Sequence, residues 1–280
     1  MAIYNGYRTK AAALRALHDA GYKFVSLLSR ADSNPKLAKN GKLGVVSAPL
    51  HLAPYDLSGF QVCPKASDGC AAACLHTAGN PAHMAGKDAS RKDKTRAYFS
   101  HRDAFMALLA FEIAALQRKV KINTKNLFRE RRCAVRLNAT SDLPFERRTI
   151  DVDGETVSLM HHFAAVQFYD YTAIPKRAIA WAKRADNWPA NYHITFSRKE
   201  DNDGDVRDVL AAGGNVAAVF RGNPFKHGFT ARQLAAVEAL GGQTLFDGDV
   251  SDYRPDDPRG VIVALKAKGD ARKDTSGFVI

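Results

Sequence analysis

Long apolar runs are missing from this chain. No hydrophobic stretch in its 280 residues approaches the roughly 18 that a membrane-spanning helix needs, so insertion into a bilayer is not expected. The first residues, MAIYNGYRTK, carry no apolar segment behind their charges, and export is therefore not expected either. Acidic residues are scarce relative to basic ones, 29 against 41, which leaves a net charge of +12. Such a field attracts polyanions. Several familiar catalytic signatures are also missing. No GxGxxG or Walker loop follows a strand, and neither GxSxG nor HExxH occurs, which argues against dinucleotide, P-loop, serine-hydrolase and zincin chemistry. Cysteine is rare, four in all, and that rarity makes the distribution informative.

Three of the four fall within twelve residues: Cys63, Cys70 and Cys74, in VCPKASDGCAAACLHTAG. Thiolates held close together repel unless a cation neutralises them, so the group reads as ligands of a soft metal or a cluster. The spacing, six residues and then three, matches neither the CxxC pairs of zinc ribbons nor the runs of ferredoxins. A structural zinc closes its shell with four ligands. A [4Fe–4S] cluster held by three thiolates leaves one iron open. Two other readings stand beside this one: buried, inert thiols on one turn of a helix, and a disulfide, which a reducing compartment disfavours. Cys133 stands apart, either as an extra ligand or as a strand residue beneath the site.

Apolar content of 46% and charged content of 25% are those of an ordinary globular protein. The positive charges are dispersed into three groups, Arg91 to Arg96, Arg129 to Arg132 and Lys266 to Lys273. No aromatic-interleaved basic stripe accompanies them. A nucleic acid or a phosphate-bearing substrate is the expected partner class.

The organisation changes near residue 130, within what reads as a single domain over 1–280. Residues 1–130 read as a helical N-terminal part carrying the cysteine loop (63–74). Thr9 to Ala20 forms a short amphipathic helix ended by Gly21. Loops are expected at Asn34-Pro35 and Asn40-Gly41, and GVVSAPLHLAP is a candidate strand leading towards the cysteines. Residues 87–121 read as one long helix, striped by Phe99, Phe105, Leu108, Ile113 and Leu116, with a solvated or anion-facing basic start. Residues 131–280 alternate strands with helices. The strands are AVRLN (134–138), AAVQFYD (164–170), NYHITFS (191–197), NVAAVF (215–220), QTLFDGD (243–249) and GVIVALKAK (260–268). Helical stretches at 175–185, 203–213 and 230–241 lie between them. This is the pattern of βα units on a parallel sheet. The expected fold is α/β, a (βα)-repeat parallel barrel or partial barrel with a helical N-terminal region.

Polar residues gather where the strands end. Asn138, Thr140, Ser141 and Asp142 follow the first run, and Asp170 and Tyr171 end the second. Ser197 and Arg198 end the third, and Asp247 and Asp249 lie at the fifth, with Asp252 and Arg254 beyond. In a parallel barrel these ends share the face that carries active sites. Some of them serve only as helix caps or turn formers. The adjacent His161-His162 lies in a non-periodic stretch and reads as solvated.

VRLNATSD, FYDYT, NYHITFSRKEDN, GNVAAVF, DGDVSDYR and VIVALKAKGDARKDTSGFV, with SGFQVCPKASDGCAAACLHTAG, resemble the phage-encoded gene-product-88-like family from about Leu28 to Ile280. The resemblance implies a phage protein acting in the cytoplasm of an infected bacterium, without implying a particular activity. The chain also looks distantly similar to radical-SAM-like phage proteins with a CxxxCxxC loop ahead of a (βα) barrel. Its cysteine spacing departs from theirs, so that likeness is one of fold level.

The chemistry expected from this combination is a [4Fe–4S] cluster on Cys63, Cys70 and Cys74, opening towards S-adenosylmethionine. Asn138, Thr140, Ser141, Asp142, Ser197 and Arg198 are the candidate cofactor contacts, and Asp170, Tyr171, Asp247 and Asp249 the candidate catalytic groups. One alternative is a nucleic-acid-binding protein stabilised by zinc, with His76 or His83 as the fourth ligand. Another is a Mg-dependent phosphoryl hydrolase built on the Asp247, Asp249 and Asp252 carboxylates.

Overall fold

A computed structural model describes residues 2–29, 40–41, 43–74, 85–127, 131–242 and 244–280. In chain order the elements are α1 (Lys10–Asp19), β1 (Val45–Pro49), α2 (Asp68–Ala72), α3 (Ala85–Ser100) and α4 (Arg102–Leu127). Next come β2 (Arg132–Arg136), β3 (Thr149–Val152), β4 (Glu155–Ser158), α5 (Leu159–His162), β5 (Gln167–Thr172) and α6 (Pro175–Ala182). The last are β6 (Tyr192–Ser197), α7 (Asp203–Ala211), β7 (Asn215–Phe220), α8 (Pro224–His227), α9 (Ala231–Ala239), β8 (Leu245–Asp247) and β9 (Ile262–Lys266). Seven strands form one sheet in the order β1-β2-β5-β6-β7-β9-β8. The pairings β1–β2, β2–β5, β6–β7, β7–β9 and β8–β9 are all parallel. The expected α/β fold with a partial parallel barrel is what the chain forms. All six strands expected after residue 130 are present.

By compactness the chain divides into two units, residues 1–63 with 84–169 and residues 64–83 with 170–280. In the first unit α4 is the central helix. Ala104 through Ala110 are all buried, so that stretch is enclosed on every side, as a helix apolar all round must be. Thr9 caps α1 by accepting from Ala12 N at 3.1 Å. The i, i+4 pair Ala13 and Leu17 forms the helix's buried stripe. Glu112 of α4 is buried, and its Oε2 accepts the backbone N–H groups of Leu27 (3.0 Å) and Leu28 (2.8 Å). Lys10 Nζ lies 2.9 Å from Oε1.

The single helix expected over 87–121 is two, α3 and α4, interrupted at His101. The Nε of Arg102 donates to the Tyr98 carbonyl at 3.3 Å, competing for an acceptor that an unbroken helix gives to the amide of residue 102. Side-chain intrusion of this kind is a known cause of helix kinks. The hairpin β3–β4, with Asp153 and Gly154 at positive φ in its turn, is an element that the strand–helix rhythm did not announce.

In the second unit β6, β7 and β9 are buried along most of their length, as strands covered on both faces should be. Strand β8 has only three residues, all half-buried, and forms the edge beside β9. Thr230 and Gln233 form a reciprocal capping box on α9. Gly248 cannot carry a side chain: an added Cβ would lie 2.5 Å from Val263 Cγ1 and 2.6 Å from Leu265 Cδ2.

Glu112→Ala strips the acceptor from two buried amides, each worth about 1–3 kcal/mol when left unsatisfied. We expect a loss of roughly 2–6 kcal/mol in chemical denaturation. Lys10→Ala, at the half-exposed end of the same network, should cost under about 1 kcal/mol.

Candidate functional site

The first unit's strand-end residues knit one loop. Asn138, 2% exposed, accepts from Leu143 N and Ser141 Oγ, both at 2.8 Å, and donates to Leu143 O at 2.9 Å. Thr140 Oγ1 donates to Leu52 O at 2.6 Å, and Asp142 N donates to Val62 O at 2.8 Å. Cys63 is held by the same loop, its Sγ 4.0 Å from the Thr140 carbonyl oxygen. The structure thus brings Asn138, Thr140, Ser141, Asp142 and Cys63 together beyond the carboxyl end of β2.

The same unit gathers cations beyond the ends of β1 and β2. Arg136 ends β2, paired with Pro49 at the end of β1, and His51 follows two residues later. Helix α3 lies against this segment: Ala53 N donates to Thr95 Oγ1 at 2.9 Å, and Lys94 Nζ donates to Leu27 O at 3.0 Å. Lys87, Arg91 and Lys94, at i, i+4 and i+7, share one helical face. Burial pushes the His51 imidazole down to about 3, and Arg91, Arg136, Lys94 and Lys87 push the same way. His51 therefore stays neutral, with a contact to Ser29 Oγ at 3.3 Å. Burial likewise lowers Lys94 to about 8, with Glu112 opposing the shift. Of this group only the basic character of the helix start was legible in sequence. The i, i+4, i+7 spacing was a usable signal, but the partnership with His51 and Arg136 is tertiary.

In the second unit Asp170 has no exposure and its Oδ2 accepts from Tyr192 Oη at 3.1 Å. Buried Arg177 donates to Tyr192 Oη and to Thr172 Oγ1, each at 3.2 Å. This sealed network is a poor place for a group that must meet substrate. Tyr171 packs against the Ala217, Val261 and Val263 cluster. Arg198 pairs with Asp203 at 3.0 Å and donates to the Gly277 and Phe278 carbonyls. The Ser197 carbonyl accepts from Asn202. Asp249 binds Lys268 Nζ at 2.7 Å and Lys266 N at 2.8 Å, while Asp247 accepts from Asp249 N at 3.0 Å. Arg254 is fully buried, 2.9 Å from Asp257 and bonded to the Gly248 and Ser251 carbonyls. The DGDVSDYR motif is thus tied partly to itself and partly to Asp257, Lys266 and Lys268.

Helix α2 carries Cys70, and Cys74 follows one turn later. Ser67 caps the turn through Cys70 N at 3.3 Å. Gly69 N donates to Glu200 Oε1 at 2.8 Å, and a Cβ at residue 69 would lie 2.3 Å from Ser276 Oγ and 2.7 Å from Glu200 Oε1. Ala73 packs with Ala267, Ala271 and Val279, beside Val219 and Phe278. The turn is thereby seated beyond the carboxyl ends of β6, β7 and β9. Cys70, inside the helix, and Cys74, just beyond its C-cap Ala73, are both half-buried.

Cys133 is a buried residue of β2, and burial pushes its thiol up to about 12. None of the four cysteines is in a disulfide. Among the described residues no three His, Cys, Asp or Glu side chains are grouped so as to hold a metal ion. His76 and His83 lie outside the described residues. His161 and His162 are exposed, as expected. Among the described residues no helix is long and apolar enough to cross a membrane.

Comparison with protein families gives one match: the profile of the Gene product 88 family covers residues 26–280. The chain belongs to that family, a family of phage proteins, as the ordered motifs implied. No curated protein matches it, and no solved structure does. The radical-SAM likeness therefore has no support from these comparisons.

Two outcomes follow from the geometry. Asp170→Ala leaves the Tyr192 hydroxyl without its acceptor beside a buried guanidinium, so it should lower stability by at least about 1–3 kcal/mol, seen in the thermal midpoint. Alkylation of the folded, metal-free protein at pH 8 should label Cys63, Cys70 and Cys74 and spare Cys133, whose thiol stays protonated. Peptide mass mapping reads this directly.

Proposed function

We propose that this protein is a phage enzyme of the infected bacterial cytoplasm that holds a soft metal centre, a [4Fe–4S] cluster, on the Cys63–Cys74 segment. One observation carries the reading: the turn bearing Cys70 and Cys74 is seated beyond the carboxyl ends of β6, β7 and β9, through Gly69, Glu200 and Ala73. In parallel α/β sheets that edge is where ligands bind, whereas a purely structural metal has no reason to prefer it. Thiols are the donors a thiophilic ion takes, although Cys63, Cys70 and Cys74 are not grouped as a ready-made ligand set. With three protein ligands the cluster offers an open iron for S-adenosylmethionine or another small ligand. The protein's part is then to position that ligand with polar groups at the strand ends. The phosphate-bearing class of substrate is supported by the cations around His51, where Arg136 and the α3 face converge. Tyr171 and the Asp247–Asp249 pair have less to offer, because packing and lysine contacts already engage them.

Anaerobic purification followed by metal and sulfide analysis tests the reading. The expected outcome is brown protein with stoichiometric iron and acid-labile sulfide, and with Cys70→Ser a folded, colourless protein. Colourless wild-type protein carrying zinc would instead support the zinc-stabilised nucleic-acid-binding alternative. Protein that takes up neither metal, even on reconstitution, would end the metal reading.

A further inference from the structure

A cavity of about 470 Å³ lies in the first unit, away from the cysteine segment, between the N-terminal residue Asn5, the start of α4 and the β3–β4 hairpin. Arg102, Arg147 and Arg148 line it, with Asp103 and Asp151. Among the described residues none of these three guanidiniums is in an ion pair, although two carboxylates share the cavity. Three guanidiniums face this space against two carboxylates that pair with none of them, and the excess of positive charge is relieved when an anion completes the arrangement.

Two of the three side chains are held in place. Arg102 and Arg148 both lie on the ring of fully buried Tyr98, with Cζ 4.9 Å and 5.6 Å from its centroid. Arg102 Nε is fixed on the Tyr98 carbonyl at 3.3 Å, which leaves its terminal nitrogens to point elsewhere. Arg148 Nε is buried without a hydrogen-bond partner. On the other wall Asn5 Oδ1 accepts from Asp151 N at 2.8 Å, and Asp151 Oδ1 accepts from Gly154 N at 3.0 Å. Asp103 faces Asn5 Nδ2 at 3.5 Å. The carboxylates therefore keep acceptor capacity for donors on a ligand.

The geometry points to this cavity as a binding site for a small phosphate monoester bearing hydroxyl groups, a sugar phosphate or a nucleoside monophosphate. Three considerations narrow the class. A phosphate monoester carries about −1.5 to −2 charge at neutral pH, which suits three guanidiniums better than a single carboxylate does. Guanidinium forks match phosphate oxygens in bidentate fashion. The volume falls within the roughly 300–1,000 Å³ of small-molecule sites, and the carboxylates supply acceptors for sugar hydroxyls.

Calorimetric titration of the whole protein with ribose 5-phosphate, a nucleoside 5′-monophosphate, inorganic phosphate and plain ribose tests this. The esters should bind at or below about millimolar Kd, inorganic phosphate more weakly, and ribose without measurable heat. Arg147→Gln, an exposed substitution that leaves the fold intact, should weaken both esters at least about tenfold. Arg148→Gln should do the same, with its thermal midpoint as a folding control. Asp103→Asn should narrow the preference for the esters over inorganic phosphate. If Arg147→Gln binds the esters as wild type does, or wild type binds none of them at millimolar concentration, the assignment is overturned. Because the cysteines play no part, failure here and failure of the metal reading are separate results.

Discussion

Parallel pairing is the constraint from which most of this structure follows. Strands that run the same way cannot be joined by tight turns, so each hands over at its carboxyl end to a longer crossover. There the backbone leaves the ladder, and its N–H and C=O groups need other partners. Asparagine supplies them repeatedly. Asn138 takes both the N–H and the carbonyl of Leu143. Asn202 takes Lys199 N and the Ser197 carbonyl, and Asn223 takes Lys226 N. A side-chain amide suits this work because it carries a donor and an acceptor on one planar group.

That economy explains why polar strand ends are an ambiguous sign of chemistry. A residue that closes a loop has spent its hydrogen-bonding capacity before a ligand arrives. Asn138, Ser141, Asp247 and Asp249 are of this kind, and Asp170 is sealed beneath Tyr192. The Cys70 turn differs because it is placed by its neighbours' shape, with Gly69 admitting Glu200 and Ser276 where any side chain would collide. Its thiols are carried to the strand edge by that fit.

The sequence was most legible where periodicity is strong. The six strands after residue 130 and α6, α7 and α9 were all visible, because buried strands and amphipathic helices leave uninterrupted patterns. Two features escaped. The α3–α4 break depends on Arg102 reaching back to the Tyr98 carbonyl, a side-chain choice that no apolar stripe records. The β3–β4 hairpin did carry a signal, Asp153-Gly154 between TIDV and ETVS, the dipeptide favoured in tight hairpins. It was masked by the longer strand–helix rhythm. Of the site, residue types were readable but not their engagement: nothing in DGDVSDYR announces that Arg254 is buried against Asp257 or that Asp249 holds Lys268.

The net charge of +12 takes on a different meaning once its carriers are sorted. Arg254, Arg177 and Lys199 are buried and answered by protein acceptors, so they act as internal fastenings and project little field. Some of the other cations are gathered at particular places. In the first unit one concentration surrounds His51, fed by the α3 face and Arg136, and another lines the cavity of Arg102, Arg147 and Arg148. A nucleic-acid duplex presents phosphates at regular intervals and is met by extended basic surfaces. Discrete, partly enclosed cationic sites with hydrogen-bonding walls suit small anions, whose charge is compact and whose desolvation such walls can offset. The two cationic concentrations of the first unit are of this compact kind.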